Sequence, residues 1–299
     1  VVDRFRQQTV GTYPLVVTTI DPLTEVAAAA SGSLGLAIYD GSGVQVYTGT
    51  PVVSGTTLTA NVPVASLPLL DTYSAVWTGT ASGGPTTWHS FFEICGGFLF
   101  EIADFRVWDP SFSDTTKFPM AMLRAARVAG EQRFEKAARV AFVPRCARVT
   151  RYAKGYPMPI GYGIGYDAGV RRLETHYNRV RSLRSVSLNG VAMSPSDLAN
   201  LDFTEWGAID QPAGSYWLDT TLVSIVLEHG YDFAPAPVAT AAMILAREYV
   251  FRSALSSRAT VEATDVGFFR LSVAGPGRPT GIPEVDAAVA EFGRRRPRT

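Results

Sequence analysis

The hydrophobic period of the chain changes at Gly96-Gly97, and this switch restricts the possible folds more than any other feature. Upstream, the sequence is rich in Thr, Val, Ser and Gly, and short apolar runs alternate with turn signals. Residues 15–20, 34–39, 44–47, 57–62, 73–78 and 87–94 read as strands. Asp40-Gly41-Ser42-Gly43 separates two of them as a hairpin turn does. Thr57-Leu58-Thr59-Ala60-Asn61-Val62 alternates polar and apolar side chains, which gives a strand one wet face. These features predict a small β-sandwich of immunoglobulin-like type over residues 1–100, without the paired cysteines of antibody domains.

Downstream the spacing becomes helical. Met120, Leu123, Ala126, Gly130, Phe134 and Ala137 recur at steps of three and four within residues 114–141. Arg124, Arg127, Glu131, Glu135 and Arg139 fall largely off that stripe and read as the solvated side of the helix. Strand-like stretches follow at 141–150, 173–188 and 216–228, with a turn at Asn189-Gly190. A second helix begins after Pro235-Ala236-Pro237 and extends to about residue 256, apolar on nearly every side and so expected to be buried. A third spans 283–292, where Val285, Ala288, Val289 and Phe292 share one face and Gly293 is the stop signal. The fold class expected is α+β. A sandwich occupies 1–100, a helical core with an antiparallel β-element 101–274, and an extended tail 275–299. A chain of 299 residues with 46% apolar content has material for two cores.

The net charge is zero, but its distribution is segregated. Residues 1–115 carry three Arg against ten Asp and Glu, whereas residues 116–190 carry fifteen Lys and Arg against four acids. Such asymmetry suits head-to-tail contact between copies of one chain. Fifteen cations in one segment also suit DNA, but here they are interleaved with acids on the helix and alternate along strands at Arg179, Arg181 and Arg184. Pairing between copies is the favoured reading. No run approaches the roughly 20 apolar residues of a membrane span, and Val1-Val2-Asp3-Arg4-Phe5-Arg6 has no leader-like apolar core. A soluble protein is expected. Cys95 and Cys146 stand fifty residues apart outside any C-x-x-C pair, which favours two thiols over a disulfide or zinc site.

Catalytic and cofactor chemistry leaves local traces, because nucleophiles, metals and phosphates need ligands at fixed spacing. The sequence has no G-x-S-x-G, no H-E-x-x-H and no G-x-x-x-x-G-K-[ST]. Gly161-Tyr162-Gly163-Ile164-Gly165 lacks dinucleotide-loop spacing and reads as a hairpin tip. His89, His176 and His229 lie in three separate segments, and His229 beside Glu228 is better read as a strand-end residue than as a general base. No catalytic residue, metal or cofactor is expected.

Four stretches carry a resemblance. They are Arg133-Phe134-Glu135 with Val140-Ala141-Phe142-Val143-Pro144-Arg145; the run from Val180 through Arg181, Leu183, Arg184 and Leu188 to Asn189-Gly190; Val226-Leu227-Glu228-His229-Gly230-Tyr231-Asp232; and Thr280-Gly281-Ile282-Pro283-Glu284-Val285-Asp286-Ala287. In order and spacing this region resembles the head-to-tail adaptor (connector) family of long-tailed bacteriophages, of actinobacteriophage type. The resemblance implies a non-enzymatic virion subunit at the neck, assembled in the host cytoplasm. It would form a homo-oligomeric ring, typically a dodecamer, docked under the portal protein. The ring would surround the channel for double-stranded DNA and present a face to the next neck or tail-completion protein. The chain departs from the family pattern in having no glycine near Arg139, and in a Gly/Tyr/Pro-rich insert over 154–169.

On this reading Arg124, Arg127, Arg139, Arg145, Arg181 and Arg184 are candidates for the ring interface. The tail offers Ile282, Val285, Val289 and Phe292, followed by Arg294, Arg295 and Arg296, for docking on the portal or a neighbour. A ten-residue helix does not persist alone, so its apolar face needs a partner. That partner is another protein or the chain's own core. The competing reading is a module that recognises carbohydrate or a host surface, which exposed Trp77 and Trp88 on one face of the sandwich would support.

Overall fold

The computed structural model describes residues 3–81, 83–153, 172–204, 206–212, 217, 221–251, 261–264, 267–270, 274–275 and 278–293. The chain divides into two units, Val1–Gly97 and Phe98–Thr299. It is mixed α and β, with strands alone in the first unit apart from one short 3-10 turn.

The first unit contains β1 (Asp3–Arg6), β2 (Thr12–Thr18), β3 (Ser31–Tyr39), β4 (Gln45–Gly49), β5 (Val52–Ser54), β6 (Thr57–Pro63), β7 (Asp71–Ala81) and β8 (Gly84–Cys95). One sheet has the order β1-β8-β7-β3-β4 and the other β2-β6-β5. The Asp40 turn forms as expected: its carboxylate accepts the amides of Ser42 and Val44 at 2.8 and 2.9 Å and closes β3 onto β4. Strand β7 alternates strictly, with Tyr73, Ala75 and Trp77 buried. Tyr13, Leu15, Leu58 and Val62 are the buried set of the second sheet. Phe5 of the first sheet lies 5.6 Å from Tyr13 of the second and 5.8 Å from Phe92, so an aromatic bridge joins the two sheets over one core.

Trp77 and Trp88 are 0% and 7% exposed, so the exposed pair that would have supported the carbohydrate-binding reading is absent. Each indole N–H has an internal acceptor, the Ser90 hydroxyl at 2.9 Å and the Ile20 carbonyl at 2.8 Å. Both rings therefore belong to the core.

The second unit opens with α1 (Ile102–Trp108) and α2 (Met120–Ala138). It continues through β9 (Arg145–Tyr152), β10 (Arg172–Glu174), β11 (Val180–Leu188), β12 (Val191–Ala192), α3 (Pro195–Ala199), β13 (Asp202–Phe203), β14 (Ala208–Asp210) and β15 (Leu222–His229). It ends with α4 (Ala236–Val250), β16 (Val261–Thr264), β17 (Gly267–Arg270) and α5 (Pro283–Phe292). Its helical core joins Leu123 and Phe134 of α2, Ala242 and Leu245 of α4, and Val285 of α5. The approach of α2 to α4 requires Gly130: a Cβ there would lie 2.7 Å from the Ala242 carbonyl oxygen and 2.8 Å from the Ala246 nitrogen.

A second core lies on the antiparallel sheet β12-β11-β15-β9. Val223, Ile225, Leu227 and His229 alternate inward along β15, and the first three join Leu173, Ile209 and Trp217 in one cluster. The Asn189-Gly190 turn forms as read, with both residues at positive φ, and β11 pairs back onto β12 through it.

Helix α2 departs from its sequence reading in two respects: Met120, at the start of the stripe, is 47% exposed, and three charged residues are not solvated. Arg127, Glu131 and Glu135, placed on the solvated side, are buried. The helix is covered on two sides, by α4 and α5 and by the segment that opens the unit. Each of these charges meets a partner there: the Arg127 guanidinium sits 3.4 Å over the Phe98 ring, Glu131 accepts the Leu99 amide at 2.8 Å, and Glu135 pairs with Arg145 at 2.6 Å.

Candidate functional site

The residues that carry chemistry concentrate where the helical core of the second unit meets its sheet. Helix α2 ends at Arg139, which adopts the left-handed conformation at φ 58° and donates its amide to the Glu135 carbonyl at 2.7 Å. The chain then turns through Val140-Ala141-Phe142-Val143 into β9. Phe142 stacks on Tyr231 at 5.6 Å, and the Tyr231 amide reaches the Ala141 carbonyl at 3.3 Å. Gly230 makes this crossing possible. Its φ is 110°, and a Cβ there would lie 2.2 Å from the Val143 oxygen.

Strand β11 runs beside β15 with two register shifts, between Val180 and Ser182 and between Leu183 and Ser185. Arg181 and Arg184 are the extra residues at these bulges, which redirect their side chains. Arg184 donates from Nε to Glu228 at 2.8 Å, and Arg181 pairs with Asp232. Arg133 pairs with Glu248 of α4 and donates to the Thr280 carbonyl at 3.2 Å, just before α5. The Asp286 carboxylate of α5 then accepts the Thr280 amide and hydroxyl at 2.9 and 2.7 Å.

At the opposite end of the helices, the Ser111 hydroxyl holds the Asp109 carboxyl below its ordinary range, with Arg247 adding to the effect. The amides of Lys117 and Thr116 do the same to Asp114. Asp210, bound in a two-pronged pair at 2.8 Å, raises Arg172 further above its usual value.

Four of the six cations expected to reach for neighbouring copies are therefore engaged within the chain: Arg127 with Glu101 at 3.7 Å, Arg145 with Glu135, Arg181 with Asp232 and Arg184 with Glu228. These pairs hold the four side chains against their own unit. The acids are supplied by the residue before α1 (Glu101), by α2 (Glu135), by β15 (Glu228) and by the turn after β15 (Asp232). Arg124 and Arg139 are exposed and make no ion pair among the described residues.

The tail residues are also placed. Val285 is 0% exposed, and Ile282, Val289 and Phe292 pack against the helical core. Of the two partners open to this helix, the chain's own core is the one observed, and these four side chains make their contacts within the unit. Arg294, Arg295, Arg296 and the 154–169 insert lie outside the described residues.

His229 is 7% exposed and packs on Tyr177 at 4.4 Å. Among the described residues no group of three or more His, Cys, Asp or Glu is placed to hold a metal, and no helix is long and apolar enough to cross a membrane. The carboxylates Glu228 and Asp232, which complete the junction, were missed in the sequence. The one available signal was that Arg181 and Arg184 stand three apart, which a regular strand would place on opposite faces. Comparison with protein-family models and with curated proteins gives no match to this chain.

Proposed function

We propose that the chain is a structural, non-enzymatic subunit of a long-tailed phage virion. It closes with its copies into a ring of the head-to-tail adaptor type, about a dodecamer, between the portal protein and the next neck or tail-completion protein. Assembly takes place in the host cytoplasm, and double-stranded DNA passes through the ring. The two sheets of the first unit read as an immunoglobulin-like sandwich appended to that core.

One observation carries this reading: the four stretches of resemblance, scattered along residues 133–287, pack on one another. Ala141 and Phe142 meet Tyr231, the Gly230 amide reaches the Arg179 carbonyl at 3.0 Å beside Val180, Arg184 pairs with Glu228, and Arg133 touches Thr280. Their packing on one another is what a single inherited adaptor core would show. The internal pairing of the arginines also supports passage of DNA through a ring, because a conduit works only if it leaves phosphates largely unclaimed.

The test is electron microscopy of the purified chain across a range of concentrations, alone and mixed with its portal. Rings that stack coaxially on the portal are expected. Single particles at every concentration that ignore the portal would overturn the proposal. Removal of residues 280–299 is unsuitable for testing attachment, since it takes Val285 out of the core.

A further inference from the structure

Helices α4 and α5 enclose a groove of about 460 Å³ on the surface of the second unit. Its floor is made of small or apolar side chains, Pro237, Thr240 and Ile244 from α4 and Ala287 from α5, and Glu284 and Glu291 stand on the α5 rim. The two glutamates are exposed, and among the described residues neither makes an ion pair. Seven positions apart, they share one face of the helix and lie about 10 Å apart along its axis. Glu291 occupies the last turn, where terminal carbonyls already concentrate negative charge and no basic residue offsets them.

We infer that this groove seats the arginine-rich segment 294–298 of a second copy of the chain. The inference rests on the reading of the protein as a self-assembling subunit and names the contact. Arg294-Arg295-Arg296-Pro297-Arg298 holds four cations in five residues and no acid. Pro297 favours an extended backbone at the residue before it. In an extended chain Arg295 and Arg298 are about 10 Å apart, the spacing of the two glutamates. The aliphatic stems of the arginines then lie along the small-residue floor while the guanidinium groups reach the rim. The chain's own segment leaves from the Glu291 end of the groove and would have to reverse at once to reach Glu284. A neighbour's segment enters without that reversal. A groove at one place and a strand of cations at another make a head-to-tail contact that repeats around a ring.

The experiment compares three forms of the full protein by sedimentation: the unaltered chain, the chain ending at Gly293, and Glu284→Gln with Glu291→Gln. Glu284 and Glu291 lie on exposed positions outside the cores. The unaltered chain is expected to assemble, and each altered form to assemble about three- to tenfold more weakly at low salt. An equimolar mixture of the two altered forms retains one working groove and one working segment per pair, so it should stop at two-chain particles. A labelled peptide of residues 293–299 should bind the chain ending at Gly293 and lose about three- to tenfold in affinity to the two Gln substitutions. Rings of unchanged size and strength in both altered forms would overturn the contact and leave the ring reading standing. A chain that stays single while the shortened form binds the peptide would assign the groove to its own segment and overturn both.

Discussion

The two units solve the problem of charge in opposite ways. The first has 8 charged residues among 97, the second 46 among 202. In the first unit the cohesion is carried by long strand registers and an aromatic core, and its ion pair Arg4–Glu93 is sealed, with side chains 1% and 10% exposed. In the second, ion pairs join segments far apart in sequence at partly open positions, such as Arg181–Asp232 with side chains 36% and 72% exposed. A sealed pair cannot exchange its partner for water when broken, whereas an open pair does. The same chemical group thus acts as a keystone in one unit and as a trim in the other.

The sharpest way to break this comparison is to remove one carboxylate from each unit. Glu93→Gln removes the carboxylate charge that faces the buried Arg4 and is expected to cost about 3–5 kcal/mol. Asp232→Asn leaves Arg181 in contact with solvent and is expected to cost less than about 1 kcal/mol. Chemical denaturation followed separately for the two units would measure both. Equal losses would show that exposure does not decide the worth of these pairs.

Beside the largely sealed pair Glu135–Arg145, the helical unit has a sealed point of a steric kind. Gly130→Ala places a Cβ against backbone atoms of Ala242 and Ala246, which cannot rotate away. Overpacking of this kind costs about 1–3 kcal/mol, offset by up to about 1 kcal/mol from the better helix propensity of alanine. A net loss of stability in the second unit is expected, with the first unit's unfolding unchanged. A gain in stability would mean that α2 and α4 separate without penalty.

Sequence legibility followed the same division. The strands from 34–39 to 87–94 and the helix at 283–292 were readable because period, turn residues and stop signals agree locally. Strand β1 was not, since it pairs in parallel with β8 about ninety residues away and its buried Arg4 disguises the alternation. On α2 the stripe placed Leu123, Ala126 and Phe134 correctly, but a periodicity argument assigns every charge to solvent. It could not anticipate that Arg127, Glu131 and Glu135 meet partners from residues 98–101 and 145. The site was hidden for a related reason: bulges at Arg181 and Arg184 are set by the partner strand, and no local pattern announces them.

Arg139 provides the smallest of the expected effects and the most direct link between sequence and backbone. The structure holds the residue at φ 58° and ψ 31°, a conformation glycine adopts without steric cost. Its side chain is exposed and has no ion pair among the described residues, so little is lost by removing it. Arg139→Gly should therefore stabilise the second unit by about 0.5–1 kcal/mol, the relief of left-handed strain exceeding the added freedom of the unfolded chain. Arg139→Ala separates the two contributions, because it removes the same charge and keeps the Cβ. Thermal unfolding that rises for Gly and stays level or falls for Ala would assign the effect to the backbone. A rise of the same size in both would assign it to the arginine side chain and make the helix stop independent of its conformation.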